Sequence, residues 1–350
     1  MERYSDLLQA VRLVMKKAGF CINSEADTDA IAFDIIGRRD NLLLIIRVLV
    51  ALEALRKNNA VELLVLGKIL NASPLIVCER NQKGPLPEGV IFTRNAVPVI
   101  SFKTFSEYLL EGVPPAVFAS SGGYYVKIDS NLMRERRTAL GYSYGAVAEA
   151  AGVSRKAVQM YEEGMCPTLE IALKLEEFLN TDLILEIDPF NYDVGAAETS
   201  LDDSPKLEDF EKDIFSHVKK IGFDNTFVPR CPFRAVSTPS PYPYSKQSEG
   251  PQERYVSREA GPHKKSFRAN QNISIISRAV PLLSTSLNTP LLMDISVIAN
   301  KQAVIFSYSE HAKPSLETLP VITKKELEDA DDAETLLQLI EKRKKEIKKD

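Results

Sequence analysis

The sequence predicts an α+β, multidomain chain in which a small all-α module sits between two α/β domains. Three observations lead there. Short helical stretches punctuated by glycine fill the middle of the chain, from Asn131 to Asn180. On both sides, β-rich apolar runs alternate with amphipathic helical ones, the pattern of layered sheet and helix. The runs on the two sides also follow one order and share local motifs, so the flanking domains are expected to be duplicates.

Residues 1–120 read as the N-terminal α/β domain. Tyr4 to Lys17 places Leu7, Leu8, Val11, Val14 and Met15 at helical spacing and stops at Gly19, a fitting C-terminal residue. Ala30 to Ile36 and Leu42 to Val48 read as strands joined by a hairpin over Gly37–Asn41. Val50 to Leu70 reads as largely helical with a break near Asn58-Asn59. Pro74–Cys78 and Val97–Ser101 follow as buried strands, and Thr104–Leu110 as a helix.

Residues 121–190 form the central module. Tyr124–Ile128 before the helices and Leu183–Ile187 after them alternate like strands and are expected to pair antiparallel, with Lys127 beside Glu186. An acidic linker follows over 191–213. The C-terminal α/β domain, 214–350, contains a proline- and charge-rich insertion, 238–269, whose composition predicts disorder.

The duplication rests on ordered matches. Lys16-Lys-Ala-Gly-Phe20 corresponds to Lys219-Lys-Ile-Gly-Phe223, and Phe33-Asp-Ile-Ile36 to Phe233-Arg-Ala-Val236. Asn41 to Arg47 corresponds to Asn272 to Arg278, the helix ending at Asn71 to one ending at Asn300, and Pro98-Val-Ile-Ser101 to Pro320-Val-Ile-Thr323. The 238–269 insertion then falls at a hairpin tip, where added length costs little closure entropy.

Composition narrows the chemistry. The formal charge of −4 over 350 residues excludes a uniformly basic surface, so any nucleic-acid contact must be local. Met1-Glu-Arg-Tyr does not open a signal peptide, and the apolar run Leu42–Leu52 is too short to span a bilayer and carries Arg47. Cys21, Cys78, Cys166 and Cys231 are far apart, as are His217, His263 and His311. A metal site or disulfide framework is not expected, and a reducing cytoplasm suits these thiols. No nucleophile constellation appears; Gly122-Gly123 and Gly67-Lys68 lack phosphate-loop spacing, and no cofactor or catalytic residue is expected. The lysine-rich end of Leu336–Lys349 reads as a solvated helix terminus.

Within the central module, two helices, Tyr144–Ala151 and Ser154–Glu163, are separated by the turn Gly152-Val153. Ser143 and Ser154 stand where serine oxygens cap free backbone N–H groups. Val147, Ala148, Val153 and Val158 face a common core, with Ala148 small at the helix crossing. These are the parts of a helix-turn-helix, whose second helix presents its outward N-terminal residues to a DNA major groove. Ser154, Arg155, Lys156 and Gln159 are those residues here. Arg155 suits guanine, Gln159 suits adenine, and Lys156 can reach base or phosphate. Arg134 and Arg136 are candidates for phosphate contact, whereas Arg137 is spaced to form an internal ion pair with Glu162.

This segment, with Leu132-x-x-x-Arg136-Arg137, Ala148, Gly152-Val153-Ser154, Val158, Tyr161-Glu162-x-Gly164 and Pro167-Thr-Leu, resembles the helix-turn-helix of phage repressors and Cro. The resemblance spans about Asn131 to Asn180 and includes a following helix, Thr168–Leu179. It adds Tyr144, where many relatives carry glutamine, and Met160, at an often polar position, to the expected DNA-binding residues.

The flanking order of helix, strand, hairpin strand, helix and strand is similar to restriction-endonuclease-like and Holliday-junction-resolvase-like folds. In those enzymes an aspartate on one strand, and a carboxylate followed two residues later by lysine on the next, hold magnesium and water. Asp34 stands at the first position, but Ile45 and Arg47 hold the other two, and the second repeat has Arg234, Ile276 and Arg278. The resemblance therefore implies nuclease-like scaffolds without nuclease chemistry. As a whole the chain resembles an archaeal family of helix-turn-helix transcriptional regulators, which implies sequence-specific binding of double-stranded DNA, expected as a homodimer spanning two half-sites. A nuclease-like or junction-binding protein with a degenerate metal site, and a non-specific DNA- or partner-binding adaptor, are the alternatives. No residue pattern points to an effector ligand.

Overall fold

Apolar runs too continuous for a half-exposed sheet dominate both ends of the chain, and both form strands covered on two faces. The structure is a computed structural model; it describes residues 2–24, 31–192, 206–228, 230–240, 274–281 and 289–347. The expected linker lies largely outside these residues, as does most of the 238–269 insertion, and so do Lys348 and Lys349. The chain folds as two compact units, one of Met1–Asn23 and Asp27–Asp202 and the other of Ser24–Ala26 and Asp203–Asp350. No helix among the described residues is long and apolar enough to cross a membrane.

The first unit begins α1 (Glu2–Lys17), β1 (Cys21–Ile22), β2 (Ile35–Arg39), β3 (Leu42–Ala51), α2 (Lys57–Leu70), β4 (Ser73–Asn81), β5 (Gly84–Pro85), β6 (Val90–Arg94), β7 (Val97–Ser101) and α3 (Phe102–Ser106). It continues with β8 (Val117–Ser120), β9 (Gly123–Ile128), α4 (Ser130–Ala139), α5 (Tyr144–Ala151), α6 (Arg155–Glu162), α7 (Leu169–Leu179) and β10 (Ile184–Leu185). Its sheet runs β1-β2-β3-β4-β7-β6-β8-β9-β10, with β5 beside β4, so one sheet crosses residue 120 without a break. Leu44, Ile46 and Val48 of β3 pack with Val11 and Met15 of α1 and Phe105 of α3. Ile187 and Phe190, which follow the helical module, enter this same core.

Several expected boundaries move. Strand β3 runs on through Val48-Leu-Val-Ala51, because these residues pair with β4 as far as Ala51 opposite Arg80. Helix α2 starts only at Lys57, so Asn58 and Asn59 form its first turn and break nothing. Gly37 lies inside β2 opposite Leu44, and the hairpin tightens to Asp40-Asn41. A Cβ on Gly37 would come within 2.6 Å of Met15 Cε, so this glycine serves close packing, not a turn. Strands β6 and β8 carry no long apolar run, so the sequence does not announce them. The β9–β10 pair is antiparallel as expected, but Leu185, not Glu186, faces Lys127. Burial of both Leu183 and Ile187 sets that register. The Lys127 ammonium lies instead over the Tyr192 ring, 5.7 Å from its centroid.

The second unit comprises α8 (Asp209–Lys220), β11 (Phe223–Phe227), β12 (Ala235–Pro239), β13 (Ile275–Val280), α9 (Thr289–Ala299), β14 (Gln302–Ser307), β15 (Ser315–Leu316), β16 (Leu319–Thr323), α10 (Lys324–Glu328) and α11 (Ala333–Ile347). Its sheet order, β11-β12-β13-β14-β16-β15, repeats β1-β2-β3-β4-β7-β6 strand for strand. Even the registers agree. Ile36 faces Ile45 and Val236 faces Ile276; Leu44 faces Ser73 and Ile275 faces Gln302; Ile76 faces Val99 and Ile305 faces Val321. Helices α2 and α9 each end on a left-handed asparagine, Asn71 at φ 53° and Asn300 at φ 54°. A one-residue slip anywhere would turn a strand's apolar set to its other face, so matching registers mark true duplication.

Candidate nucleic-acid interface

Local chemistry marks the ends of the two central helices. The Ser143 Oγ accepts from the Ala146 N–H at 3.1 Å and the Ser154 Oγ from the Ala157 N–H at 3.1 Å, capping α5 and α6. Gly152 closes α5 at φ 71°, ψ 35°, a left-handed position that glycine occupies without steric penalty. Thr168 caps α7 in the same way. Beneath them Val147, Ala151, Val158, Tyr161, Leu175 and Leu179 form one core with Val126 and Ile128 of β9 and with Leu183. A helical module this small buries little surface alone, and the β9–β10 base enlarges its core.

Ser154, Arg155, Lys156 and Gln159 are all exposed on the outer face of α6. Arg155, Lys156 and Gln159 share an open concavity with Ser143, Tyr144 and Gly145 at the start of α5. The Arg155 guanidinium lies flat against Gly145: a Cβ there would meet its Nε at 3.1 Å and its Nη2 at 3.3 Å. Gly145 belongs to no recognisable motif, although glycine in a helix costs about 1 kcal/mol relative to alanine and so hints at a close approach. Gln159 donates to Glu163 Oε1 at 3.2 Å, and Met160, 38% exposed, lies next along the helix.

Three other expected contacts lie apart from this surface or are partly engaged. Tyr144 is 38% exposed, yet its hydroxyl donates to Glu162 Oε2 at 3.1 Å and its ring lies under the Arg137 guanidinium, 4.1 Å away. Arg134 donates to the Glu162 carbonyl at 2.7 Å while half its side chain stays in solvent. Arg136 donates to the Asn180 carbonyl at 3.1 Å at the end of α7. Residues two apart on a helix do not share a face, so Arg134 and Arg136 point to different neighbours.

Glu162 is the hub of the module. Its carboxylate is buried and takes Arg137 two-pronged, Nε at 2.5 Å and Nη2 at 3.0 Å, as the spacing of the two residues predicts. That hydrogen-bonded carboxylate raises the Arg137 pKa above its ordinary value against the opposing effect of burial.

In the N-terminal sheet, Asp34 stands just before β2, and its N–H donates to the Ile46 carbonyl at 2.9 Å. Its Oδ1 accepts from the Tyr4 hydroxyl at 2.6 Å and from Arg47 Nη1 at 3.0 Å, and its Oδ2 from the Val48 N–H at 2.6 Å. Ile45 offers no ligand oxygen, and the Arg47 guanidinium brings a positive charge to where a cation would sit. These residues do not fit magnesium. Among the described residues no group of three or more His, Cys, Asp or Glu side chains is placed to hold a metal.

Comparison with known proteins agrees with both parts. The family model described as a PD-(D/E)XK superfamily domain matches residues 4–115, and one described as helix-turn-helix matches residues 133–185. A protein of Archaeoglobus fulgidus is 39% identical over 234 residues, 67% of this chain and 74% of its own length. One from Methanocaldococcus jannaschii is 39% identical over 207 residues, covering 59% of this chain and 64% of that protein. A third, from Thermococcus kodakarensis, is 32% identical over 349 residues, 99% of this chain and 98% of its own. All three carry the provisional name of HTH-type transcriptional regulatory protein. No solved structure matches. With a helix-turn-helix at its centre and relatives alike over nearly the whole length, the chain belongs to this archaeal family of HTH-type transcriptional regulatory proteins.

Proposed function

We propose that the chain is a sequence-specific, double-stranded-DNA-binding transcriptional regulator of the cytoplasm, without enzymatic activity, which reads the major groove with α6. The observation that carries this reading is the exposed cluster of Ser154, Arg155, Lys156 and Gln159 at the start of a capped helix. Arg155 offers a planar fork suited to guanine O6 and N7, and Lys156 offers a mobile charge for a phosphate. Ser154 contributes its position at the helix front, since its oxygen already serves as the cap. Tyr144 and Met160 flank the groove-facing surface, and Arg134 keeps enough exposure to reach a phosphate.

Selection of bound sequences from a random duplex pool tests the reading. A defined motif should emerge with the natural chain; recovery of the starting pool would reject sequence-specific binding. One helix-turn-helix reads one half-site, so two half-sites about one helical turn apart imply a homodimer. The selected motif should then be palindromic, and the chain should sediment as a dimer on it.

The match to a PD-(D/E)XK domain favours one second reading, a nuclease-like or junction-binding protein. Ile45 and Arg47 weigh against cleavage, because neither can ligate a metal. Linear and branched duplexes should therefore stay intact with magnesium present.

Gly145 offers a finer test of base readout. Gly145→Ala should leave the module folded, since alanine suits a helix and the obstructed atoms end a flexible side chain. It should nonetheless displace Arg155 and blur the selected motif at one base position per half-site. An unchanged motif would show that Arg155 does not read from this resting place.

A further inference from the structure

The duplication creates a charge asymmetry between the two units. Where Asp34 faces Arg47 in the first, the corresponding positions of the second carry two arginines, Arg234 and Arg278. The Arg234 N–H, just before β12, donates to the Ser277 carbonyl at 2.8 Å, so Arg234 stands beside the residue that precedes Arg278 on β13. Like charges held close together repel unless an opposite charge lies between them.

Arg234 is the better partnered of the two, and its Nη2 donates to the Lys206 carbonyl at 2.8 Å and to Glu211 Oε2 at 3.4 Å. Glu211, on α8, reaches Arg234 with Oε1 3.0 Å from its Nε. The same carboxylate also accepts from the Glu208 N–H at 2.9 Å as part of the helix capping box. Arg278 makes no ion pair among the described residues; its Nη1 donates to the Pro232 carbonyl at 3.3 Å. Burial, with Arg234 nearby, lowers the Arg278 pKa despite the opposing pull of Glu211. Both arginines are half-buried, so a ligand from solvent can still meet them.

We propose that Arg234 and Arg278 form an anion site on the second unit that takes a phosphate group. Two planar guanidinium groups, one just before β12 and one on β13, match the geometry of phosphate oxygens better than ammonium groups would. The phosphate can come from a DNA backbone or from a free phosphate compound. The site is independent of the recognition surface on α6.

The test uses the full-length chain. Inorganic phosphate is titrated at constant ionic strength and followed by calorimetry, with chloride as the control anion. Saturable binding at one site per chain is expected, and Arg278→Met should weaken it about tenfold, the loss of one charged hydrogen-bonding partner. Lys345→Met, at an exposed position on α11, should leave it unchanged. A short duplex of arbitrary sequence, added to the Arg155→Ala/Lys156→Ala double variant, identifies the source. Competition with phosphate assigns the DNA backbone, and its absence assigns a free phosphate compound. If Arg278→Met does not fold, Arg278→Lys keeps the charge without the fork and should still weaken binding. No saturable phosphate binding by the natural chain, or equal binding by the Arg278 variant, overturns the proposal.

Discussion

Replacing Glu162 with glutamine is expected to unfold the helical module while both sheets survive. The carboxylate is 1% exposed and its partner Arg137 only 13%, so neither charge can turn to water for compensation. Removing one member of such a pair costs about 3–5 kcal/mol, because the other is left buried and uncompensated. Tyr144 loses part of its anchor at the same time, and Arg134 its nearest carboxylate oxygen at 3.6 Å. Amide hydrogen exchange checks this directly. Protection should collapse across α4, α5 and α6 and persist in β3 and β4. The double variant Arg137→Met/Glu162→Leu should recover most of the protection, since apolar groups of similar volume often replace a buried pair without loss. Tyr144→Phe should cost only about 1 kcal/mol, one hydrogen bond. If Glu162→Gln leaves exchange in α6 unchanged, the pair is not what holds the module.

The second large effect is expected at Arg155. Arg155→Ala should weaken binding to the selected DNA by about 1–3 kcal/mol, roughly 5- to 150-fold. Stability should barely change, because the side chain is exposed and makes no ion pair among the described residues. The loss should be confined to particular positions: the variant should accept other bases where the natural chain demands guanine. Lys156→Ala should behave differently, weakening all sequences alike and reducing the salt dependence by about one charge. Competition binding on a panel of single-base changes separates the two patterns. Uniform weakening by Arg155→Ala would reassign that residue to the phosphate backbone.

Much of this architecture was legible because its determinants are local. Serine at two helix starts, glycine between the helices and an inward valine after the turn describe the central motif within a few residues. Arg137 and Glu162 could be paired from spacing, since three helices of a known motif leave few partners for a buried charge. The duplication was legible for another reason: matched offsets within each strand and helix end survived despite the insertion expected at a hairpin tip. Strands β6 and β8 were hidden because their residues alternate only weakly and are recognised by the neighbours they pair with. The Lys127 assignment missed by one position, since two buried residues flanking a two-residue strand decide its register.

The sequence by itself determined where the helices of the central module begin and end, which face of α6 is polar, and that two sheet domains share one plan. Capping, periodicity and turn chemistry act between near neighbours, so they need nothing beyond the chain's own order. Only the tertiary structure decided that one sheet runs from β1 into the base of the helical module, that Arg155 rests on Gly145, and that Arg234 is held by Glu211 of α8. Each joins residues far apart in the chain or on different elements. The packing of whole faces, not any local preference, brings them together.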